Sequence, residues 1–529
     1  MKFKLLKSFA PLAMVAMMGL TACGGKGLGP AGTDNLDVTI DTRGTTISFW
    51  TGFGANINGV LQPLLDEFTA KTGITVEYET KGGYSNLQTA INLSATKQAY
   101  ANVAVGYPDH FSGYITQNIQ LRLDGLIKND EKRADASKTK DGVKYDKDGI
   151  MCLNYNDFYE DYRFENENLE FDEQGNGYKL GLPFNKSSEV MVYNKDFMDW
   201  VAKQPSLANQ IFIPKTWAEV KTVGLAVKAF FAEKGVYGRI MGDDGNVYAE
   251  DSNLPEGVKK ILDMIQVPDE SAFHFISYDS TENLFITLVR QYGGTYTEID
   301  KTKTGVGYAA FNDADKKDKT LEAMAMLRDL WNNGLIGIAA TFGEQSYCSN
   351  PFLAGKSLFN VGSTGGLTNV VGTNFKTWAA PIPYKDAEHR FVISQGTNLA
   401  LFNKGTDAQK VASWKLMVYL SQQANGAFCG NEKSGYFPTC DYATNSPEYQ
   451  EYISSAFSGA AALQQEASKI NSNTYKANFN RFVDPGFRGS SSIRTEVGYI
   501  PGYIFAGEYG NNDQAILNAV YTKLSDYVR

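Results

Sequence analysis

The spacing of hydrophobic residues divides the first hundred positions into short alternating segments. Runs of β-branched and aromatic residues predict three strands, at residues 45–50, 74–78 and 103–105. Between these runs, apolar residues recur every three or four positions, which predicts helices at 60–71 and 87–99. This alternation is typical of a parallel sheet covered by helices.

Loops rich in glycine and aromatic residues follow the three predicted strands, at residues 51–54, 81–84 and 106–109. The carboxyl ends of parallel strands meet at one edge of a sheet, and ligands of such sheets bind there. We therefore expect these three loops to form part of a binding site.

A second alternating region runs from residue 182 to about 375 and resumes near 398. Thr216 and Glu219 have the spacing of a capping box, which predicts a helix beginning at 215–219. The pattern also predicts strands at 189–193 and 398–403 and helices at 284–292, 320–333 and 407–422.

Residues 128–178 interrupt this alternation with many charged residues. Eight of the 17 residues from Asp157 to Glu173 are acidic, which predicts a solvated insertion. Asp172 begins a segment like a calcium loop, but Pro183 stands where the closing carboxylate is needed, so we expect no calcium site.

Composition narrows the function. The 529 residues carry 50 basic and 59 acidic side chains, a net charge of −9, which argues against a nucleic-acid-binding protein. The chain has three histidines, so a metal site built from histidine is not expected, and we expect no metal or cofactor. Thirty tyrosines suit surfaces that stack against a ligand and also donate hydrogen bonds.

The amino terminus has the features of a lipoprotein signal peptide. Lysines at positions 2, 4 and 7 precede an apolar stretch from Phe9 to Leu20, which is too short to span a bilayer. The segment Leu20-Thr21-Ala22-Cys23 resembles a bacterial lipobox, which predicts lipidation of Cys23 and a flexible tether at residues 24–43. We expect a protein anchored outside the cytoplasm, on the cell membrane or in a periplasm; the alternative is a secreted protein with a chance cysteine.

The other cysteines are Cys152, Cys348, Cys429 and Cys440. An exported protein can form disulfides, and Cys429 and Cys440 are close enough in sequence to close a loop. Free buried thiols are the alternative interpretation.

A set of short segments occurs in a characteristic order along the chain, at residues 47–53, 65–68, 81–84, 182–190, 193–196, 214–217, 362–363, 381–383, 394–398, 412–415 and 434–438. In this order they resemble the extracellular solute-binding proteins (family 1) of bacterial ABC importers, closest to those for carbohydrates and glycerol 3-phosphate. The resemblance covers about 45–500 and implies a protein that delivers a solute to permease subunits without chemistry, as a monomer.

The resemblance also implies an α/β fold of two lobes, the type II periplasmic-binding-protein fold, with mixed or parallel sheets, flanking helices and a hinge. We expect one lobe at residues 44–185 plus 378–428 and the other at 186–377 plus 429–529. The chain is expected to cross between them near 185–193, 375–382 and 425–432.

A sugar site needs aromatic faces and many short polar groups. Tyr84 and Ser187 resemble the ligand-binding tyrosine and serine of the glycerol-phosphate-binding relatives, and Arg488 resembles their arginine. We expect Tyr436 to stack from the second lobe, and Asp109 and Glu344 to accept sugar hydroxyls. The expected ligand-binding residues are Trp50, Phe53, Tyr84, Tyr107, Asp109, Asn185, Ser187, Glu344, Gly362, Ser363, Gly396, Tyr436 and Arg488.

The glycerol-phosphate-binding relatives have a carboxylate near the position of Tyr107. In this chain Pro108-Asp109 stands there and that carboxylate has no clear counterpart, so a sugar is favoured as the ligand. Three alternatives remain. They are a glycerol 3-phosphate or glycerophosphodiester binder of the same fold, an exported glycan-active enzyme with two carboxylates about 5–10 Å apart, and a surface adhesin.

Overall fold

The computed structural model describes residues 32–303 and 305–528. The predicted signal peptide and its Cys23 lie outside the described residues. None of the helices in that described part combines the length and the apolar character needed to cross a membrane.

The strands are, in chain order, β1 Thr46–Thr51, β2 Thr75–Thr80, β3 Val103–Gly106, β4 Leu182–Asn194, β5 Ile240–Gly242, β6 Val247–Tyr248, β7 Lys260–Asp263, β8 His274–Tyr278, β9 Thr297–Ile299, β10 Gly307–Ala309, β11 Ile336–Ile338, β12 Ser357–Ser363, β13 Thr377–Ala380, β14 Phe391–Leu401 and β15 Asn480–Phe482. The helices are α1 Ala55–Thr72, α2 Tyr84–Ser94, α3 Pro108–Thr116, α4 Asp124–Asn129, α5 Glu160–Phe164, α6 Lys195–Ala202, α7 Pro205–Ala208, α8 Trp217–Lys234, α9 Thr281–Gln291, α10 Lys317–Asn332, α11 Ser349–Leu353, α12 Asp407–Val418, α13 Asn425–Cys429, α14 Asp441–Thr444, α15 Pro447–Ser454, α16 Gly459–Lys469, α17 Lys476–Asn478, α18 Ser490–Val497, α19 Ile500–Ala506 and α20 Asp513–Lys523.

The hydrophobic spacing located these elements well. All three early strands and both early helices are present, although α2 ends at Ser94, earlier than expected. The capping box that begins α8 is confirmed, since Thr216 Oγ1 accepts from the Glu219 amide at 3.1 Å and Glu219 Oε2 accepts from the Thr216 amide at 3.0 Å.

Ten strands form one mixed sheet in the order β11-β8-β12-β4-β14-β3-β1-β2, with β13 also paired to β4 and β15 to β14. At one end β2, β1 and β3 are parallel, and at the other β11, β8 and β12 are parallel. The long strands β4 and β14 pair antiparallel in the middle and join the two parallel ends.

Two hydrophobic cores lie at the two ends of this sheet. The N-terminal core draws on residues 38–184 and 399–452, and the C-terminal core on residues 190–392 and 463–524. The chain therefore passes between cores within β4, within β14 and between residues 452 and 463. The last two passages come later than the expected 375–382 and 425–432. The lobe boundaries themselves stay a prediction.

The acidic insertion at 128–178 is only in part the solvated segment that its charges predict: residues 136–142 and 173–176 are exposed, whereas other parts are buried. Arg133 is buried and donates to Asp130 at 2.8 Å and to Asp146 at 2.6 Å, and Lys415 of α12 pairs with Asp146 at 3.0 Å. Leu153, Phe158 and Leu169 pack in the N-terminal core. These paired buried charges and apolar contacts hold the insertion against the N-terminal core.

The four cysteines of the described part, Cys152, Cys348, Cys429 and Cys440, are buried free thiols. Burial raises the pKa of the Cys440 thiol to about 12, so it stays protonated at neutral pH. The proposed loop closure between Cys429 and Cys440 is not formed.

Gly396 in β14 offers a test of the central strand pair. Its φ is +99°, and a Cβ there would lie 1.9 Å from the Asn185 carbonyl oxygen of β4. We expect Gly396→Ala to lower the free energy of unfolding by about 2 kcal/mol or more, because both the backbone and β4 must shift.

Gly59→Ala is the matched control, since Gly59 lies exposed within α1 with open space around it. Alanine there should stabilise by about 0.5–1 kcal/mol. Chemical denaturation measures both changes, and an unchanged unfolding midpoint in Gly396→Ala would contradict the packing described.

Candidate functional site

A cavity of about 440 Å³ lies between the two cores. The N-terminal side contributes the first turns of α2 and α3, and the C-terminal side contributes α9 and α18, with β14 at its base. Its principal lining residues are Tyr84, Tyr107, Asp109, His110, Glu165, Glu282, Tyr296, Gln395, Asp484, Ser491 and Arg494. We call this space the cleft.

Tyrosine rings form one wall of the cleft. Tyr84 and Tyr107 meet edge to face, with their ring centroids 5.1 Å apart, and Phe53 supports Tyr84 from behind at 6.3 Å. Asn185 Nδ2 donates to the Tyr84 hydroxyl at 3.3 Å. Burial raises the pKa of Tyr84 and of Tyr107 above their usual value, so both hydroxyls stay protonated.

Glycines allow this wall to form. The loop before α2 turns at Gly83, whose φ is +123°. Gly52, after β1, approaches this turn so closely that a Cβ would lie 2.7 Å from the Gly83 carbonyl carbon. The loops after β1 and β2 therefore stack on each other, which brings Phe53 under Tyr84.

The opposite wall holds the cation of the cleft. Arg494 of α18 forms an ion pair with Asp484 through Nη1 and donates through Nη2 to Asn283 Oδ1. Glu282 stands in the first turn of α9, where Ser280 Oγ donates to its Oε2 at 2.9 Å. Carboxylates are stabilised at such a position by the helix amides.

Two contacts join the walls directly. Asp109 in the first turn of α3 accepts from Ser491 Oγ at 2.8 Å, and Ser112 Oγ donates to the Phe487 carbonyl at 3.1 Å. Gly486 approaches so closely that a Cβ would lie 2.6 Å from the Pro108 carbonyl carbon. The cleft is therefore closed over in this structure.

Several polar atoms of the cleft lack a hydrogen-bond partner within the described residues. They are the Tyr296 hydroxyl, His110 Nδ1 and Gln395 Oε1. Tyr296 and His110 are 4% and 7% exposed, and burial lowers the pKa of His110, which keeps it neutral at neutral pH. Unpaired buried polar atoms are costly, so a ligand that pairs with them would be bound favourably.

The structure brings seven of the expected residues to the cleft or its immediate support. Tyr84, Tyr107, Asp109 and Gly396 line it, and Phe53, Asn185 and Tyr436 pack behind Tyr84. Tyr436 corrects an expectation, because it packs on the N-terminal core, stacked on Phe428 at 5.8 Å, and not on the second lobe.

Ser187 and Ser363 lie nearby but outside the lining. Ser187 is buried in β4 opposite Gln395. Ser363 ends β12, where its Oγ accepts from the Gly365 amide at 3.3 Å. Gly362 pairs with Val190 of β4, and a Cβ there would collide with Asp279.

Three expected residues point elsewhere. Trp50 lies under the Lys81 ammonium, 3.7 Å from the ring centroid. Glu344 follows the turn Ala339–Phe342 and is not among the residues that line the cleft. Arg488 is exposed, and its guanidinium reaches Thr116 at 3.4 Å. Arg494, six residues later, is the arginine that lines the cleft.

Sequence reasoning missed Arg494, Asp484, Glu282, Tyr296 and Glu165. The spacing of Arg494 in its helix carries no distinguishing signal, and its partner Asp484 lies outside that helix. The sequence did carry a signal for Glu282. This acidic residue follows Ser280, a residue type that caps helices, just before the helix predicted at 284–292. Asp109 likewise follows Pro108, a residue type common in the first turn of a helix.

A buried hydrogen-bonded chain links the cleft to β4. Glu189 of β4 accepts from the Tyr278 hydroxyl and, at 2.7 Å, from Asn283 Nδ2, while the other amide atom of Asn283 accepts from Arg494. Burial raises the pKa of Glu189 to about 7. The orientation of the cleft arginine therefore depends on a glutamate in the central strand.

A larger cavity of about 960 Å³ lies entirely within the N-terminal half, between the insertion and the segments around Tyr419 and Tyr442. It does not reach the C-terminal core, so it cannot be shaped by movement of the two halves. Among the described residues, no group of histidine, cysteine, aspartate and glutamate side chains is arranged to hold a metal ion.

The profile of the bacterial extracellular solute-binding protein family matches residues 64–454. The chain belongs to this family. Its members act outside the cytoplasm, and solute-binding proteins of this kind work with ABC importers. A curated relative, the sn-glycerol-3-phosphate-binding periplasmic protein UgpB of Agrobacterium fabrum, is 24% identical over 263 residues. The match spans about half of each of the two chains, 50% of this solute-binding protein and 49% of the relative.

Solved structures show the same fold. UgpB of Mycobacterium tuberculosis, in complex with glycerophosphocholine, has a TM-score of 0.62 at 15% identity, covering 91% of this chain and 98% of that one. The GacH receptor of Streptomyces glaucescens, solved with acarbose, has a TM-score of 0.60 at 14% identity, covering 92% and 99%. The expected type II periplasmic-binding-protein fold of this solute-binding protein is confirmed.

Glu189→Gln tests the buried chain. The pKa of Glu189 is raised in the folded protein, so the folded state binds the proton of this carboxyl more tightly than the unfolded state does. This proton binding stabilises the folded protein fully below the unfolded pKa of about 4.3, and the stabilisation is lost as pH rises towards about 7. We expect the variant to match wild type near pH 4 and to be more stable near pH 8, by up to about 3 kcal/mol.

Thermal unfolding of both proteins across this pH range measures the difference. Glu219→Gln in the α8 capping box is the control, because its carboxylate caps a helix start and takes no part in the buried chain of Glu189. A stability difference between Glu189→Gln and wild type that does not change with pH would contradict the assignment.

Proposed function

We propose that this protein captures a carbohydrate, a mono- or oligosaccharide, in the cleft and delivers it to the permease subunits of an ABC importer. The observation that supports this most is the lining of the cleft, where Tyr84, Tyr107 and Tyr296 lie beside hydrogen-bond acceptors. Tyrosine rings fit the C–H faces of sugars, and carboxylates and amides accept their hydroxyl protons.

The charges of the cleft favour a carbohydrate over a glycerol phosphate. The lining contains the carboxylates Asp109, Glu165, Glu282 and Asp484, against the single arginine Arg494. That arginine already pairs with Asp484, so a phosphate would meet mainly negative groups. Glycerophosphodiester binding remains the second candidate, because the A. fabrum relative is named for sn-glycerol 3-phosphate and Tyr84 lines the cleft.

The two walls suggest how capture is signalled. A ligand that contacts both halves stabilises the closed arrangement by its differential affinity for that state. Contacts such as Ser491 to Asp109 form only when the walls meet. We propose a hinge in β4 and β14 and recognition of the closed form by the permease, with the protein acting as a monomer held on the membrane by lipidated Cys23.

An enzymatic alternative has little support in the site. The sequence also has Ser94 and Lys97 at the S-x-x-K spacing of serine acyl enzymes. In the structure Ser94 ends α2, and its Oγ donates to the Ala90 carbonyl at 2.7 Å. The hydroxyl is thus committed to its helix and lies away from the cleft lining.

Ligand binding is tested by a thermal-shift screen of the chain against neutral oligosaccharides, monosaccharides and glycerol phosphates. A ligand at about 100 times its Kd should add about 2.7 kcal/mol of stability. We expect a neutral or cationic carbohydrate to stabilise the protein and to be recovered unchanged. Stabilisation by glycerol phosphates alone would overturn the proposal, and recovery of cleaved sugar would make the protein an enzyme.

Variants of Arg494 and Arg488 show which of the two arginines belongs to the binding site. We expect Arg494→Lys to weaken binding of the ligand found in the screen at least tenfold, since the fork to Asp484 and Asn283 is lost. Arg488→Lys is the matched control and should bind as wild type. Isothermal titration calorimetry measures both, and the reverse order would place the site at Arg488. Tyr84→Ala should also weaken binding.

The anchor is tested with Cys23→Ser in a bacterial host that processes lipoproteins. We expect wild type to fractionate with membranes and the variant to be soluble after export, because stable attachment needs the acyl chains. Equal membrane association of both would contradict lipidation at Cys23.

A further inference from the structure

Two cations beside the cleft, Arg494 and Lys186, already have acidic partners among the described residues. Arg494 pairs with Asp484 and also donates to Asn283. Lys186, in the middle of β4, is fully buried and pairs with Glu165, while its ammonium also donates to Asn398 Oδ1 at 2.8 Å. Neither cation is free to balance the charge of a ligand.

Two further carboxylates face the cleft without such a partner. Asp109 and Glu282 form no ion pair with lysine or arginine within the described residues. The nearest ring nitrogen to Asp109 belongs to His110, at 3.9 Å, and burial keeps that histidine neutral. The described lining therefore holds two carboxylates without a direct cationic partner, one on each wall, and both lie within the electrostatic reach of Arg494 alone, which is already paired with Asp484.

The uncharged groups of the cleft also suit a ligand that carries a positive charge. Three tyrosine rings line the walls, and the face of an aromatic ring attracts a cation. Gln395 Oε1 is a buried acceptor that receives no hydrogen bond from any residue the structure describes. The surroundings thus combine acceptors, π faces and net negative charge.

We propose that the cleft selects a carbohydrate that carries a protonated amino group, which lies between Asp109 and Glu282. This rests on the proposed function, since it specifies the ligand of the same site. Closure brings like charges from α3 and α9 into one space of low dielectric, which costs energy. An ammonium group between them removes that cost only in the closed state, so it increases the differential affinity that drives closure.

The experiment compares carbohydrates with and without a protonated amino group. The full chain is titrated calorimetrically at about pH 6 with glucosamine and its oligomers in α and β linkage, their N-acetylated counterparts, neutral maltooligosaccharides and glycerol 3-phosphate. We expect the amino forms to bind at least tenfold more tightly than the N-acetylated forms, and this advantage to shrink with added salt.

The double variant Asp109→Asn/Glu282→Gln should reduce the preference for the amino form to less than threefold. The double variant Glu256→Gln/Asp315→Asn, at two exposed acids outside the cleft, makes the same change in net charge and should keep the preference. A preference that survives the first double variant would overturn the assignment to these carboxylates.

The outcomes separate this inference from the proposed function. Equal or tighter binding of the N-acetylated or neutral sugars would overturn the amino-group proposal and leave carbohydrate capture standing. Binding of glycerol 3-phosphate alone, or of no carbohydrate in the panel, would overturn both.

Discussion

The pairing of β4 with β14 is the constraint on which the rest of the structure depends. These two antiparallel strands are the only part of the described sheet that extends through both cores, and β4 is buried along all 13 of its residues. Backbone groups of a buried strand cannot lose their partners without a large cost. The hinge proposed in β4 and β14 therefore fits best where the pairing is already irregular, at Gly396 and at the register shift between Thr397 and Asn398.

The middle of β4 carries charge where a buried strand would ordinarily be apolar. Lys186 is paired by Glu165 from the acidic insertion, and Glu189 is held by Asn283 of α9. A buried charge is tolerated only when it is paired and hydrogen-bonded. Each half of the molecule thus supplies one partner to the central strand, and the insertion has a structural role because it provides the partner of Lys186.

The sequence allowed the elements to be located because hydrophobic spacing and helix caps are local properties. Residues 46–51 and the Thr216–Glu219 cap lie where the spacing predicted them. The insertion was predicted correctly only in part, because its buried acidic residues look like solvated ones in the sequence and their partners, such as Lys415, are distant in sequence. The cleft arginine failed for the same reason. Arg488 and Arg494 are alike as residues, and only tertiary contacts with Asp484 and Asn283 separate them.

The fold leaves the ligand open, because relatives of about 15% identity hold glycerophosphocholine in one structure and acarbose in another on the same fold. The proposed preference for a carbohydrate rests on side chains at helix amino termini. Such termini attract anions through their free amides. In this chain Asp109 already accepts from the His110 amide at 2.9 Å in the first turn of α3, and Glu282 stands in the first turn of α9. These two carboxylates occupy the positions to which a phosphate would otherwise be attracted, and that is the physical basis of the proposed preference.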